Sequence, residues 1–181
     1  MNVKTKTVLL CSLLAGCTSS QQKAPEPAPA SVPTQPKAEK LGETLLVTPA
    51  KVWNELDCVN SSKLPLAILE DQQLTPQKVN AGDQFMHRIE YALCPDSPDI
   101  TILGTLSRKI YLKGKLVHNG QQSFELRPGR WRVNAIIKVP DKSKSGTYTL
   151  LTEFVGQASN NKKLKVSKEI QFEVTESGSG S

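Results

Sequence analysis

Residues 130–139 read Arg-Trp-Arg-Val-Asn-Ala-Ile-Ile-Lys-Val and form the most regular alternation in this 181-residue sequence. From Trp131 to Val139 every second residue is apolar, and the residues between them are polar except for Ile136. A period of two predicts a strand that buries one face and leaves the other in water. The segment therefore predicts a half-buried strand, the most clearly marked one in a β-rich domain.

Other parts of the chain repeat this pattern. Apolar and polar residues also alternate in three further stretches, residues 85–93, 148–154 and 164–174. Shorter apolar runs occupy residues 45–47, 64–69 and 101–112. Residues 50–56 fit either a strand or a short helix, and Gly104 suggests a bulge or bend. About seven to nine short strands with no helix longer than two turns predict an all-β fold, a single antiparallel β-sandwich.

Glycine-containing dipeptides mark the turns between these strands. Pro128-Gly129 suits the two central positions of a type II turn. Lys113-Gly114 and Asn119-Gly120 are both hairpin signals, and we expect the tight turn at Asn119-Gly120 because Asn-Gly is the stronger signal. The region from Phe124 to Phe154, with a Pro-Gly turn and Gly146-Thr147-Tyr148, resembles bacterial immunoglobulin-like domains. The resemblance implies an immunoglobulin-like sandwich, although a transthyretin-like sandwich has much the same pattern.

The N-terminus has the charge and hydropathy pattern of a secretory signal. Lys4 and Lys6 precede an apolar run that ends in small residues, which predicts a signal peptide over residues 1–16. Leu14-Ala15-Gly16-Cys17 resembles the lipobox of bacterial lipoproteins. That resemblance implies that Cys17 is acylated and anchors the chain in a membrane. The alternative is an ordinary secretory signal that happens to end in cysteine.

Residues 17–40 are predicted to be the lipid anchor followed by a disordered linker. They are rich in Ala, Pro, Gln and Ser and contain no aromatic residue, so they cannot bury enough apolar surface to fold. In extended geometry two dozen residues span roughly 70 Å, which makes this linker a stalk. Residues 41–176 are the predicted sandwich domain, and residues 177–181 are a Ser-Gly tail.

Two cysteines lie in the predicted domain, and an exported protein favours their oxidation. We therefore expect a disulfide between Cys58 and Cys94. A metal site is not expected, because His87 and His118 do not sit at ligand spacings. His87 falls on the apolar face of its strand, which indicates a core histidine. No nucleophile or acid–base set is apparent, so the sequence predicts a non-enzymatic protein without a cofactor.

The sequence carries a net charge of +6, of which Lys4 and Lys6 leave with the predicted signal. This weak excess in an exported protein does not indicate nucleic-acid binding. Four cations near the central strand are candidate binding residues, namely Arg127, Arg130, Arg132 and Lys138. They predict a basic sheet face for an acidic protein or an anionic glycan, and the alternative is a solvated face that discourages strand pairing.

Together these features predict an outer-membrane-anchored periplasmic lipoprotein of a Gram-negative bacterium. The outer-membrane assignment follows from the lipoprotein resemblance, because Thr18 and not aspartate follows Cys17. The predicted role is a non-catalytic binding or assembly subunit of an envelope or secretion complex, with a protein partner. The alternative is a lipoprotein that binds a glycan such as peptidoglycan through its basic face.

Overall fold

The computed structural model describes residues 42–158 and 161–176. The predicted signal peptide, the lipid acceptor Cys17, the linker and the Ser-Gly tail lie outside these residues. In the part that the structure describes, no helix is long and apolar enough to cross a membrane.

The described chain contains nine strands and one short α-helix. In chain order they are β1 (Glu43–Val47), α1 (Pro49–Glu55), β2 (Leu66–Thr75), β3 (Lys78–Asn80), β4 (Gln84–Cys94), β5 (Ile102–Leu112), β6 (Lys115–Leu126), β7 (Gly129–Lys138), β8 (Gly146–Gln157) and β9 (Lys163–Thr175). A single 3₁₀ turn, Cys58–Asn60, follows α1. The ambiguous segment after β1 is thus helical, with Pro49 in the first turn, where a missing N–H costs nothing.

Two sheets form the predicted β-sandwich. The front sheet has the strand order β1-β7-β4-β2, and the back sheet has the order β3-β9-β8-β5-β6. All pairs are antiparallel except β3 with β9, which is parallel. The predicted antiparallel β-sandwich is confirmed, and its one parallel pair involves a short edge strand of three residues, which gave no periodic signal in the sequence.

Strand alternation places the core as the sequence predicts. In β7, Trp131, Val133 and Ile137 are buried, whereas Ile136 on the opposite face is exposed. The buried apolar side chains form two large clusters between the sheets, one around Phe85 and Phe172 and the other around Tyr91, Trp131 and Phe154.

The hairpin between β5 and β6 turns at a different place from the one expected. Lys113 and Gly114 both have positive φ, 49° and 76°, as a two-residue hairpin turn requires. Asn119 and Gly120 instead lie inside β6, opposite Lys109 and Arg108. The prediction of a turn at Asn119-Gly120 is therefore wrong, because eleven of the twelve residues of β6 pair with β5 only when the chain reverses earlier.

Gly104 does not form a bulge and pairs regularly with Phe124 and Gly156 on its two neighbouring strands. A Cβ atom at Gly104 would lie 2.6 Å from Cζ of Phe154 and 2.4 Å from the carbonyl oxygen of Val155. A side chain at residue 104 would therefore collide with the fully buried Phe154 ring and with the backbone of β8. Close packing, and not a special backbone conformation, requires the glycine.

A third, smaller cluster joins α1 to the sandwich. Val52 of α1 packs with Ala92 and with the disulfide between Cys58 and Cys94, whose Cα atoms are 6.1 Å apart. The predicted disulfide is present and ties the turn after α1 to the last residue of β4.

Candidate functional site

Arg130 and Arg132, two of the predicted binding residues, lie on the outer face of β7 and are ion-paired. Arg130 donates to both carboxylate oxygens of Glu70, at 2.6 and 2.9 Å, and to Glu55 at 2.9 Å. These hydrogen bonds raise the pKa of Arg130. Arg132 contacts Glu90, which faces it on β4, at 2.7 Å. The acids neutralise both guanidinium groups within the fold.

Arg127 does not lie on this face. Its side chain is only 3% exposed and pairs with Glu43 of β1, which is 9% exposed. The guanidinium carbon lies 3.5 Å from the centroid of the Trp131 ring. Arg127 is therefore a structural residue, and its assignment to an exposed basic surface is wrong. Arg127 immediately precedes the Pro128-Gly129 turn, and its side chain packs against the ring of Trp131, which is itself buried.

Lys138, the fourth candidate, is exposed and lies 3.3 Å from Asp141. The structure thus gives an acidic partner to each of the four predicted binding cations. The four cations do not combine into one electropositive surface, so the electrostatic argument for docking on the β7 face is weak. Within residues 42–158 and 161–176, no group of three or more potential metal ligands comes together either.

A polar layer divides the core into its two large apolar clusters. Its four buried side chains come from four strands and are Gln72, His87, Arg108 and Thr152, and the exposed Gln122 of β6 accepts a hydrogen bond from Arg108 at the border of the layer. His87 lies between Phe85 and Ile89 on β4, and Arg108 lies between Leu106 and Ile110 on β5. Each of these polar residues therefore interrupts an otherwise apolar inner face.

The hydrogen bonds of the polar layer require a neutral His87. Arg108 donates its Nε hydrogen to Nδ1 of His87 at 3.1 Å, so Nε2 carries the ring hydrogen and faces Oγ1 of Thr152 at 3.3 Å. Gln72 also donates to this hydroxyl oxygen, at 3.0 Å. Burial, followed by the charge of Arg108, lowers the pKa of His87 from 6.5 to about 3. The predicted core histidine is confirmed.

His87 should make the stability of the fold depend on pH. Below pH 6.5 the unfolded chain takes up a proton at His87, whereas the folded chain stays neutral down to about pH 3. The free energy of unfolding should therefore fall by about 2 kcal/mol between pH 7 and pH 5. Urea unfolding at both pH values measures the fall. In a His87→Gln variant this decrease in the free energy of unfolding should be much smaller, whereas a His118→Gln variant should show the full decrease. A wild-type stability that does not change between pH 7 and pH 5 would contradict the prediction.

A cleft opens at the tip of the β5–β6 hairpin, against the loop that joins β7 to β8. Its volume is about 370 Å³, and buried side chains form an apolar floor, namely Ile110, Val139, Tyr148, Phe172 and Val174. Three exposed lysines, Lys115, Lys142 and Lys144, contribute to its lining together with His118 and Ser143. Among the residues that the structure describes, no aspartate or glutamate lines it.

Local hydrogen bonds hold the loop side of the cleft in place. The hydroxyl of Tyr148 donates to the carbonyl oxygen of Lys144 at 2.7 Å, and the backbone N–H of Ser143 donates to the carbonyl oxygen of Pro140 at 3.0 Å. An apolar floor beside unneutralised lysines suits a ligand with both apolar and anionic groups. Sequence reasoning missed this site because it placed the hairpin turn at Asn119-Gly120, six residues away from the true one.

Comparisons with known proteins do not identify a family. No protein-family model matches the sequence, and no curated protein matches it either. Among solved structures, the C-terminal domain of wzt is 13% identical with a TM-score of 0.43, and the match covers 61% of this chain and 74% of that one. Spo0M from Bacillus subtilis is 14% identical with a TM-score of 0.36, and the match covers 60% of this chain and 49% of Spo0M.

The DNA glycosylase AlkC from Pseudomonas fluorescens is 12% identical with a TM-score of 0.41. The match covers 60% of this chain and only 30% of AlkC, so the chain spans less than a third of that protein. At these identities and TM-scores, nothing about the function of this chain follows from the matches.

Proposed function

We propose that this protein is a lipid-anchored lipoprotein of the outer membrane that faces the periplasm and serves as a non-catalytic binding subunit of an envelope or secretion complex. The signal pattern and the lipobox ending in Cys17 support the anchor. The proline-rich residues 17–40 support a stalk that holds the domain away from the membrane.

The cleft is the observation that carries the binding role. Its floor consists of apolar side chains and its border carries three exposed lysines, which is the combination of apolar surface and a few charged groups that binding sites use. Lys142 and Lys144 are exposed and have no acidic neighbour in the lining, in contrast to Arg130 and Arg132 on the β7 face. The geometry therefore favours the cleft over the β7 face as the site where a partner binds.

The lipid anchor predicts a change of fraction when Cys17 is replaced. The Cys17→Ser chain should move from the membrane to the soluble fraction, because acyl chains contribute about 0.8 kcal/mol per buried methylene. Immunoblotting of separated fractions, with intact-mass measurement of the mature chain, tests this. A Cys11→Ser chain is the control and should remain in the membrane. A wild-type mature mass without acyl groups would reject the anchor.

The cleft predicts that partners depend on its lysines. Affinity purification of the tagged full chain from gently solubilised membranes should retrieve a reproducible set of envelope proteins by mass spectrometry. The double variant Lys142→Glu/Lys144→Glu should retrieve about tenfold less of that set, since reversing charges opposite an anionic partner costs at least one factor of ten.

The matched control is Lys63→Glu/Lys163→Glu, which makes the same charge change at two exposed lysines outside the cleft lining. It should retrieve the wild-type set. If both variants retain the set, the cleft is not the binding site. If the wild-type protein is recovered alone, the assembly role is rejected.

A further inference from the structure

The four sheet edges in the described part of the chain differ in how well they are protected. At three edges, the strand is short or charged: β1 has five residues, β3 has three, and β2 carries Glu70 and Asp71 at a register irregularity. Lys168 also donates to the backbone oxygen of Glu70 at 2.6 Å. Such features prevent an edge strand from pairing with another chain.

β6 is an edge strand with fewer of these features, because its two charged residues, Lys115 and Glu125, lie near its ends. It has twelve residues and is the last strand of the back sheet. From Leu116 to Phe124 it contains no charged residue and no proline, and residues 115–119 and 121–123 are exposed. Its one irregularity is the register shift beside Val117, close to the turn. A long, uncharged, exposed edge is a template for strand addition.

The inner side of β6 leads directly into the cleft. His118 and Gln122 are on the same side of the strand as the buried Phe124, yet both are exposed. Arg108, whose side chain is buried between the sheets, donates a hydrogen bond of 3.1 Å to the side-chain oxygen of Gln122. This side of β6 therefore faces the space between the sheets. A strand added to β6 would place alternate side chains beside His118, which lines the cleft.

We propose that β6 captures an extended segment of a partner protein by strand addition. An apolar side chain of that segment enters the cleft, and acidic residues beside it face Lys142 and Lys144. Backbone hydrogen bonds along β6 provide affinity, and the cleft provides specificity, as in other strand-addition complexes. This inference rests on the proposed function, because it names the partner chemistry of the same cleft.

The charges of the cleft favour such a segment over the other available occupants. A second copy of β6 would bring the uncharged stretch of residues 116–124 and a single acid, Glu125, whereas three lysines line the cleft. The chain's own residues 25–36 contain five prolines, which lack the N–H groups that a sheet edge requires. An acidic and apolar segment of another protein satisfies both the lysines and the floor.

The test uses a displayed library of random decapeptides, selected on the immobilised full chain in detergent. Enriched peptides should share a large apolar residue next to an acidic one and lack proline at central positions. One enriched peptide is then synthesised, and its affinity is measured by fluorescence anisotropy. Binding should slow amide hydrogen exchange in β6 by about tenfold or more, because free edge amides become hydrogen-bonded.

Backbone methylation separates strand addition from simple side-chain docking. The same peptide, N-methylated at alternate residues, keeps its side chains but loses one row of N–H donors. It should bind at least about tenfold more weakly. Lys142→Glu/Lys144→Glu should weaken binding of the unmodified peptide to a similar extent, and Lys63→Glu/Lys163→Glu should leave the affinity unchanged.

Three outcomes overturn the inference. They are equal affinity of the methylated peptide, no enrichment above an empty support, and a concentration-dependent dimer in sedimentation that protects β6 by itself. The purification experiment with the Lys142→Glu/Lys144→Glu variant distinguishes strand addition to β6 from the general binding role of the cleft. If the lysine variant loses the envelope proteins while the methylated peptide binds normally, the binding role stands and strand addition is rejected.

Discussion

Replacing Cys58 and Cys94 together by alanine is expected to lower the free energy of unfolding by about 4 kcal/mol, the chain-entropy value for a cross-link of this length. The disulfide closes a sequence separation of 36 residues. Without it the unfolded ensemble gains the freedom that the cross-link removes. Small domains are stable by only about 5–15 kcal/mol, so the loss is a large part of the total.

Urea unfolding at pH 7, followed by tryptophan fluorescence, measures this change. The matched control is Ser62→Ala, an exposed polar residue in the same segment, which should change the free energy of unfolding by less than about 0.5 kcal/mol. Reduced wild-type protein should unfold at the same urea concentration as the double variant. A loss below about 1 kcal/mol would show that the cross-link does not restrict the unfolded chain.

Replacing Arg127 by methionine is expected to cost about 3–5 kcal/mol, because it leaves Glu43 as a buried charge without a partner. The two residues join the turn before β7 to β1, and both side chains are less than 10% exposed. The double variant Arg127→Met/Glu43→Gln removes both charges. It should be at least about 1 kcal/mol more stable than Arg127→Met, and the Glu43→Gln single variant completes a double-mutant cycle that gives the coupling between the two residues.

Arg132→Met is the matched control for this prediction. It makes the same substitution five residues further along the chain, on β7, but the side chains of Arg132 and Glu90 are 35% and 20% exposed. Water screens such a pair, so its loss should cost less than about 1 kcal/mol. If both methionine variants lost the same free energy of unfolding, burial would not make the Arg127–Glu43 ion pair more important for stability than the exposed Arg132–Glu90 pair.

The inner and outer faces of the main strands were predictable from sequence. In β4 the residues Phe85, His87, Ile89, Tyr91 and Leu93 are all buried, as their alternation predicts. The same holds for β8, and on the inner face of β7 Ala135 is half-buried between buried neighbours. The pattern is reliable because a strand presents successive side chains to opposite faces, so that a local repeat determines which side faces the core. The disulfide was predictable for a similar reason, since the predicted domain has only two cysteines.

The polar layer was only partly predictable. His87 was assigned to the core because it continues the apolar face of β4, but Arg108 and Gln72 gave no comparable signal. Each is polar and lies in a strand whose partners come from elsewhere in the chain. Gln72 contacts Thr152, which is 80 residues away in sequence. A polar residue is stable in a core only when such partners reach it.

The sequence by itself determined that this protein is a β-sandwich with a half-buried strand at residues 130–139, because alternation is a property of neighbouring residues. The tertiary structure alone decided which cations are free. Arg130 finds Glu70 across 60 residues and Arg127 finds Glu43 across 84, whereas Lys142 and Lys144 border an open cleft. Charge neutralisation and cleft formation depend on distances in space between residues far apart in the chain, which no local pattern contains.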